Sequence, residues 1–429
     1  MKKDGILKKA ATGIAIVIAG VIIGVVMLAC VYKIPQGRIY TNTETSIEIL
    51  HEEKVYPKLL KGLQATQLDN WTDALMLNMT YYKSDSFADD MLLSKYINKS
   101  DADNPVESFY SYMSGEEGEY NQVSYGRYWH GYQVVLAPLL MFFNITSIRY
   151  LNMACQICAV FAVVLVLAEK KRKDMIIPYI IMWMSLAPVV LFFSMQFSTT
   201  FYVMSCLSLV VAVRSDKYSL AKMCVAFEIA GIVEAYVDFL TYPLVALGIP
   251  IIMWLAMNMD TESALKEKMH QLMSLAGAWV CGYIGMWSGK WLVATLFAKD
   301  NIVMNAVEAF KVRSSTHQGE TTFSYIDAVI RNIGVYRSRA FAVLFVVAVL
   351  IWLLGTALTR KPIYTGRQQT ITMVLLCAMM PFGWYMVTIN HSYVHFWFTF
   401  RELVVSIYGM FTALYMGMCP NKRTVTNVV

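Results

Sequence analysis

Stretches of seventeen or more residues almost devoid of charge recur along this chain, Ala11 to Tyr32 and Ile148 to Ala168 among them. At about 1.5 Å of rise per helical residue, each is long enough to cross roughly 30 Å of hydrocarbon. Over 429 residues the composition is 57% apolar and only 15% charged, whereas water-soluble chains carry roughly a quarter charged residues. A water-soluble enzyme is excluded. The expected fold class is an all-α membrane protein with about ten transmembrane helices.

Lysine and arginine set the orientation. Lys2, Lys3, Lys8 and Lys9 precede the first apolar run, so the positive-inside rule places the amino terminus in the cytoplasm and sends Ala11 to Tyr32 outward. Gly131 to Phe143 is apolar but short and contains Pro138, and it reads as interfacial or re-entrant. Ile148 to Ala168 then runs inward and delivers Lys170, Lys171, Arg172 and Lys173 to the cytoplasm. Further spans are expected at about 175–194, 197–213, 219–237, 240–257, 272–296, 341–358, 370–388 and 399–418. Arg214, Lys217, Lys222, Lys266, Lys268, Arg360, Lys361, Arg367, Lys422 and Arg423 join the inner segments, which then hold eighteen of the 36 cations. The net charge of +6 is therefore a matter of membrane sidedness, and no nucleic-acid partner is expected.

This topology divides the chain into a cytoplasmic amino terminus and first span (1–32), a first extracytoplasmic loop with interfacial helices (33–147), spans two to seven (148–296), a second extracytoplasmic loop (297–340), and spans eight to ten with a cytoplasmic carboxyl terminus (341–429). Most of the polar mass lies on one side, so a multi-pass cell-membrane protein with an extracytoplasmic active face is expected. The eight cysteines fall within or at the ends of apolar segments, so no disulfide framework supports the loops. Cys155 and Cys158 form a CxxC inside an apolar run, where charged thiolates would be stranded in lipid.

The candidate functional groups lie on the outer side. Asn70 as N-cap with Asp73 three residues on begins a helix in the first loop, on which Trp71, Leu75, Met79 and Tyr82 share a face suited to the bilayer surface. Asp69 and Asp73 either cap this helix or supply a general base, and the two roles are compatible. Tyr128, Trp129 and His130, within the run Tyr125 to Gly131, serve as interfacial anchors or border a cleft for a sugar or an acceptor, with Arg127 or His130 touching an anion. Asp238 ends the fifth span, one turn after Glu234, and is a functional candidate or a hydrogen-bonding cap. Glu228, about 15 Å deeper, and Lys290 are expected to neutralise each other.

Cations gather near the second loop and its exit: Lys311, Arg313, Arg331, Arg337 and Arg339, with Arg401 at the head of the last span. A guanidinium matches phosphate oxygens two at a time. His391 and His395 fall at i and i+4 without a third ligand nearby, so no metal site is assigned, although a divalent metal stays open as a cofactor. No GxxxxGK[ST] or GxGxxG motif provides for a nucleotide.

In architecture the chain resembles the GT-C superfamily of integral membrane glycosyltransferases: a cytoplasmic amino terminus, a large first outer loop, many spans and outward-facing carboxylates. The resemblance implies a polyprenyl-phosphate-linked sugar as donor and a glycan, lipid or protein acceptor at the cell envelope, in contact with the bilayer. It implies Asp73 or Asp69 as base and Arg401, Arg337, Arg339 and His391 around the donor phosphate, with Tyr128, Trp129, His130 and Asp238 toward the sugar or acceptor. In many relatives the key carboxylate closely follows the first span, whereas Asp69 lies nearly forty residues beyond it. Two other functions fit the same composition: a transporter or flippase of lipid-linked sugars, which requires internal symmetry and midplane charges, and a non-catalytic membrane subunit.

Overall fold

The computed structural model describes residues 2–259, 264–298, 300–359 and 365–416. Arg360, Lys361, Lys422, Arg423 and Cys419 lie outside them. The fold is all-α. The helices run α1 (Lys2–Tyr32), α2 (Tyr40–Glu53), α3 (Asn70–Tyr81), α4 (Phe87–Leu93), α5 (Pro105–Met113), α6 (Gln133–Leu140), α7 (Ile145–Glu169), α8 (Lys173–Ser185), α9 (Pro188–Phe193) and α10 (Met195–Arg214). They continue as α11 (Leu220–Val237), α12 (Leu244–Met257), α13 (Leu265–Phe297), α14 (Ile302–Arg313), α15 (Tyr325–Val335), α16 (Arg339–Thr359), α17 (Thr365–Ala378), α18 (Met380–Val387), α19 (Ile389–Val394), α20 (Phe396–Thr399) and α21 (Val404–Met416). Two short antiparallel ribbons interrupt them, β1 (Tyr96–Lys99) with β2 (Tyr120–Val123) and β3 (His317–Gln318) with β4 (Thr321–Thr322).

Each of the ten expected apolar segments contains a helix. By length and composition, four of the described helices can cross a membrane: Ala10–Tyr32, Ile145–Glu169, Met195–Arg214 and Arg367–Val387. The pair Tyr325–Val335 and Arg339–Gly355, bent by 79°, makes a fifth when taken as one span. Others fall short for local reasons. The segment at 175–194 breaks at Ala187, whose φ of 57° precedes Pro188, so α8 and α9 are separate pieces. α12 starts only after Pro243 and has 14 residues, and α11 carries Lys222, Glu228 and Glu234.

α11 and α13 pack most closely, through small residues that let backbones approach. A Cβ added at Gly231 would stand 2.1 Å from the Trp279 carbonyl oxygen, and one at Gly282 would stand 2.1 Å from that of Glu228.

Residues 33–144 gather at one end of this bundle around an apolar core of their own, including Ile47, Leu50, Leu77, Ile97 and Phe109. α3 sits at its centre against α2, α5, α6 and α10. Leu75, Met79 and Tyr82 are buried there and only Trp71 is exposed, so the stripe expected on the bilayer surface instead faces protein. Polar ties fasten the segment to helix ends. Arg149 near the start of α7 grips Glu53 with two nitrogens at 2.6 and 2.9 Å, and the Ser46 hydroxyl accepts from the Ile145 N–H at 2.8 Å. The Gly131 N–H donates to the Tyr236 carbonyl at 2.8 Å, an approach so tight that a Cβ there would strike the tyrosine ring at 2.2 Å.

Residues 300–338 and 388–403 lie at this same polar end. Trp291 donates to the Arg127 carbonyl at 2.9 Å, Tyr325 to that of Phe382 at 3.0 Å and Asn390 to that of His317 at 2.6 Å. The opposite end is basic: Lys170 pairs with Asp216 at 2.8 Å, while Arg172 holds Asp174 and the Ala256 carbonyl.

Gly231→Ala is expected to force α11 and α13 apart and cost roughly 1–3 kcal/mol, read as a lower thermal unfolding temperature in detergent. Gly277→Ala on α13, where a Cβ meets nothing within 4 Å, should leave that temperature unchanged; an equal loss in both variants would contradict the packing account.

Candidate functional site

A cavity of about 410 Å³ opens at the polar end, between the segment leading out of β2, α14 and α19. Arg127, Arg313, Glu308, Asn390, His391 and His395 are on its wall. α14 begins at Asn301, whose side chain caps the N–H of Met304 at 3.0 Å, and the helix then turns Asn305, Glu308, Ala309 and Val312 toward the cavity. Its neighbouring face, with Ala306 and Phe310, lines a second cavity of about 210 Å³ together with Tyr128, Trp287 and Trp291. The two cavities share Arg127, Ala309 and Arg313. A polar chamber therefore adjoins an aromatic, apolar one, with two guanidinium groups at the junction.

Tyr128 positions both cations. The Arg127 guanidinium lies 5.7 Å from its ring centroid and 4.5 Å from that of Tyr125, and Arg313 lies 5.9 Å from Tyr128. Arg127 also donates to the Asn305 side-chain oxygen at 3.3 Å, and Arg313 to the Ala309 carbonyl at 3.3 Å. The Nε of each arginine is buried without a hydrogen-bond partner. His391 holds the Leu240 carbonyl at 2.8 Å through Nε2, which makes that nitrogen the protonated one. Burial, then the neighbouring His395, hold the His391 imidazole well below its usual range. Burial, followed by the charge of Arg313, lowers His395 to about 4. Both rings are thus neutral near pH 7 and supply hydrogen bonds, while the arginines supply charge.

Of the groups anticipated from sequence, Arg127, Tyr128, Arg313, His391 and His395 reach these cavities. The others are placed in the surrounding frame. Asp69, not Asn70, is the N-cap of α3: it accepts from the Thr72 N–H and hydroxyl, both at 3.1 Å. Asn70 turns its amide to the Lys54 carbonyl at 2.8 Å. Asp73 caps α10 from across the chain, accepting from the N–H groups of Met195 and Gln196 at 3.1 Å each and from the Ser194 hydroxyl at 3.3 Å. Asp238 accepts from the Thr241 N–H at 2.9 Å and from the Thr241 hydroxyl.

Arg401 is fully buried and donates to three carbonyls, Leu186 at 3.1 Å and Trp397 and Ala65 at 3.4 Å each. Arg337 and Arg339 are exposed at the start of α16. Trp129 donates to the Met286 carbonyl at 2.8 Å inside the bundle. His130, buried at φ 54°, holds the Tyr125 carbonyl at 2.8 Å, and burial pushes its imidazole down to about 3. No ion pair joins Glu228 and Lys290; Lys290 lies 5.2 Å from the Trp129 ring centroid. Among the described residues no group of three or more His, Cys, Asp or Glu is placed to hold a metal ion.

Glu308 and Asn305 carry no sequence signal beyond ordinary helix polarity. Arg127 is visible in sequence as a group able to touch an anion and Arg313 as one of the second-loop cations, but their juxtaposition is not. Comparison with protein-family models, curated proteins and solved structures finds no match for this chain.

Burial raises Asp69 to about 6, against the Thr72 hydrogen bonds and the nearby Arg401 that lower it. A folded-state value above the unfolded value of 3.8 means that its stabilising contribution is complete below about pH 4 and is lost as pH rises through about 6. Asp69→Asn keeps an N-cap residue but cannot ionise. It should flatten the fall in thermal unfolding temperature between pH 4 and 7; an unchanged slope would show that Asp69 does not titrate in this window.

Proposed function

We propose that this chain is an integral membrane glycosyltransferase that moves a sugar from a polyprenyl-phosphate-linked donor to an acceptor at the cell envelope. In this reading the ten apolar helical segments cross the bilayer, and the polar end faces the extracytoplasmic side. One observation carries the proposal: a polar chamber with two arginines adjoins an aromatic, apolar chamber at the polar end of a lipid-compatible bundle. That pairing matches a ligand with an anionic head on an apolar tail. The larger cavity falls within the roughly 300–1,000 Å³ usual for small-molecule sites.

The chemistry follows from the wall. As the bond between the anomeric carbon and the phosphate breaks, negative charge grows on the departing phosphate. Arg127 and Arg313 are held by Tyr128 where they can meet that charge, and guanidinium groups do so with paired hydrogen bonds. His391 and His395 add neutral polar contacts. The aromatic chamber around Trp287, Trp291 and Phe310 takes the first isoprene units or the sugar face. Asp69 and Asp73 would serve as bases only by giving up hydrogen bonds that anchor α3 and α10. A transporter would place paired charges at mid-depth, and Glu228 and Lys290 form no such pair.

Arg127→Ala and Arg313→Ala should each weaken binding of a polyprenyl monophosphate in detergent micelles by about 10- to 100-fold, the equivalent of roughly 1.5–3 kcal/mol for a hydrogen bond to a charged group. Unchanged binding in both variants would remove the proposed phosphate site.

A further inference from the structure

We propose that Glu308 is the residue that takes the proton from the acceptor hydroxyl, an inference that rests on the glycosyltransferase reading of the cavity. A hydroxyl is a poor nucleophile near neutral pH, and its attack needs a carboxylate or another base within hydrogen-bond reach. The base must be open to the acceptor, near the donor's phosphate end, and free of structural duty.

The carboxylates at the polar end divide cleanly on these terms. Both oxygens of Asp69 accept from Thr72, those of Asp73 accept from the start of α10, and those of Asp238 accept from Thr241. All three are buried, and none is on the wall of the polar cavity. Glu308 is exposed and is the one carboxylate among the described residues on that wall. It shares the wall with Arg127 and Arg313, yet no ion pair or hydrogen bond engages its side chain among the described residues.

Its placement on α14 strengthens the assignment. Glu308 is on the side facing the polar chamber, whereas Ala306, Val307 and Phe310 line the apolar one, and Arg313 belongs to both. A donor whose tail occupies the apolar chamber and whose phosphate meets Arg313 would present its sugar toward the side that carries Glu308. The acceptor oxygen then forms its bond to the anomeric carbon while the carbon–oxygen bond to phosphate breaks. The bonding electrons leave with the phosphate, and the hydroxyl proton passes to the Glu308 carboxylate, which later releases it to water. The neutral imidazoles of His391 and His395 belong to the same wall, on α19 and at its end.

The test compares wild type, Glu308→Gln and Glu308→Asp, each as the full chain. Two readouts are needed: binding of a polyprenyl monophosphate, and release of polyprenyl phosphate from polyprenyl-phosphoglucose, -galactose and -mannose in native membranes. The inference predicts that Glu308→Gln binds the lipid phosphate as wild type does but turns over the donor at least 100-fold more slowly, with partial recovery in Glu308→Asp. Wild-type turnover in Glu308→Gln would overturn the assignment of the base while leaving the cavity reading standing. Failure of the wild type to bind the lipid phosphate, or to consume any of the three donors, would overturn the reading itself, and the inference with it.

Discussion

A polar group that enters hydrocarbon must find its partner within the protein, because lipid offers none. That constraint organises the whole molecule. Apolar helices form the body, and long-range polar ties fasten its two ends. At the polar end the ties join segments far apart in sequence: Asp73 caps α10, Arg149 grips Glu53, and Arg401 fastens Ala65, Leu186 and Trp397 together. Removing one partner from such a buried arrangement leaves the other unsatisfied, which costs more than the bond itself contributes.

The same constraint separates framework from chemistry. Groups that are buried and fully engaged hold helix ends in register, as Asp69, Asp73, Asp238 and Arg401 do. Groups on α14, on α19 and in the segment after β2 line open space instead. Tyr128 links the two classes: its ring is buried, yet it fixes both guanidinium groups at the junction of the polar and apolar chambers. Close glycine packing between α11 and α13 brings the carboxyl-terminal ends of both helices to the floor of this end, with Trp287 and Trp291 lining the apolar chamber.

The helical segments were legible because apolar runs of this length have a single local solution, and Pro243 marked the break before α12, whereas the break at Ala187 and Pro188 that divides α8 from α9 went unread inside a segment expected to be one span. The start of α3 was legible to within one residue, since Asp69 and Asn70 are equally good caps and only tertiary contact chose between them. What local pattern did not carry was the identity of long-range partners. Arg401 reads as a phosphate ligand in sequence because its three carbonyl acceptors lie up to hundreds of positions away. The stripe Leu75, Met79 and Tyr82 reads as a lipid-facing surface, but α2, α5 and α6 cover it. Glu308 reads as a solvated glutamate because nothing near it in sequence reveals the cavity that it shares with Arg127, Asn390 and His391.

The proposed function requires residues 33–144 and residues 300–338 to lie on one side of the bilayer. In a cysteine-free background, single cysteines at Glu116, Gln318 and Lys217, all exposed positions, can be labelled in intact membranes with an impermeant maleimide. The account predicts that positions 116 and 318 react from one face and position 217 only from the other. Labelling of positions 116 and 318 from opposite faces would contradict it, because no common cavity could then exist.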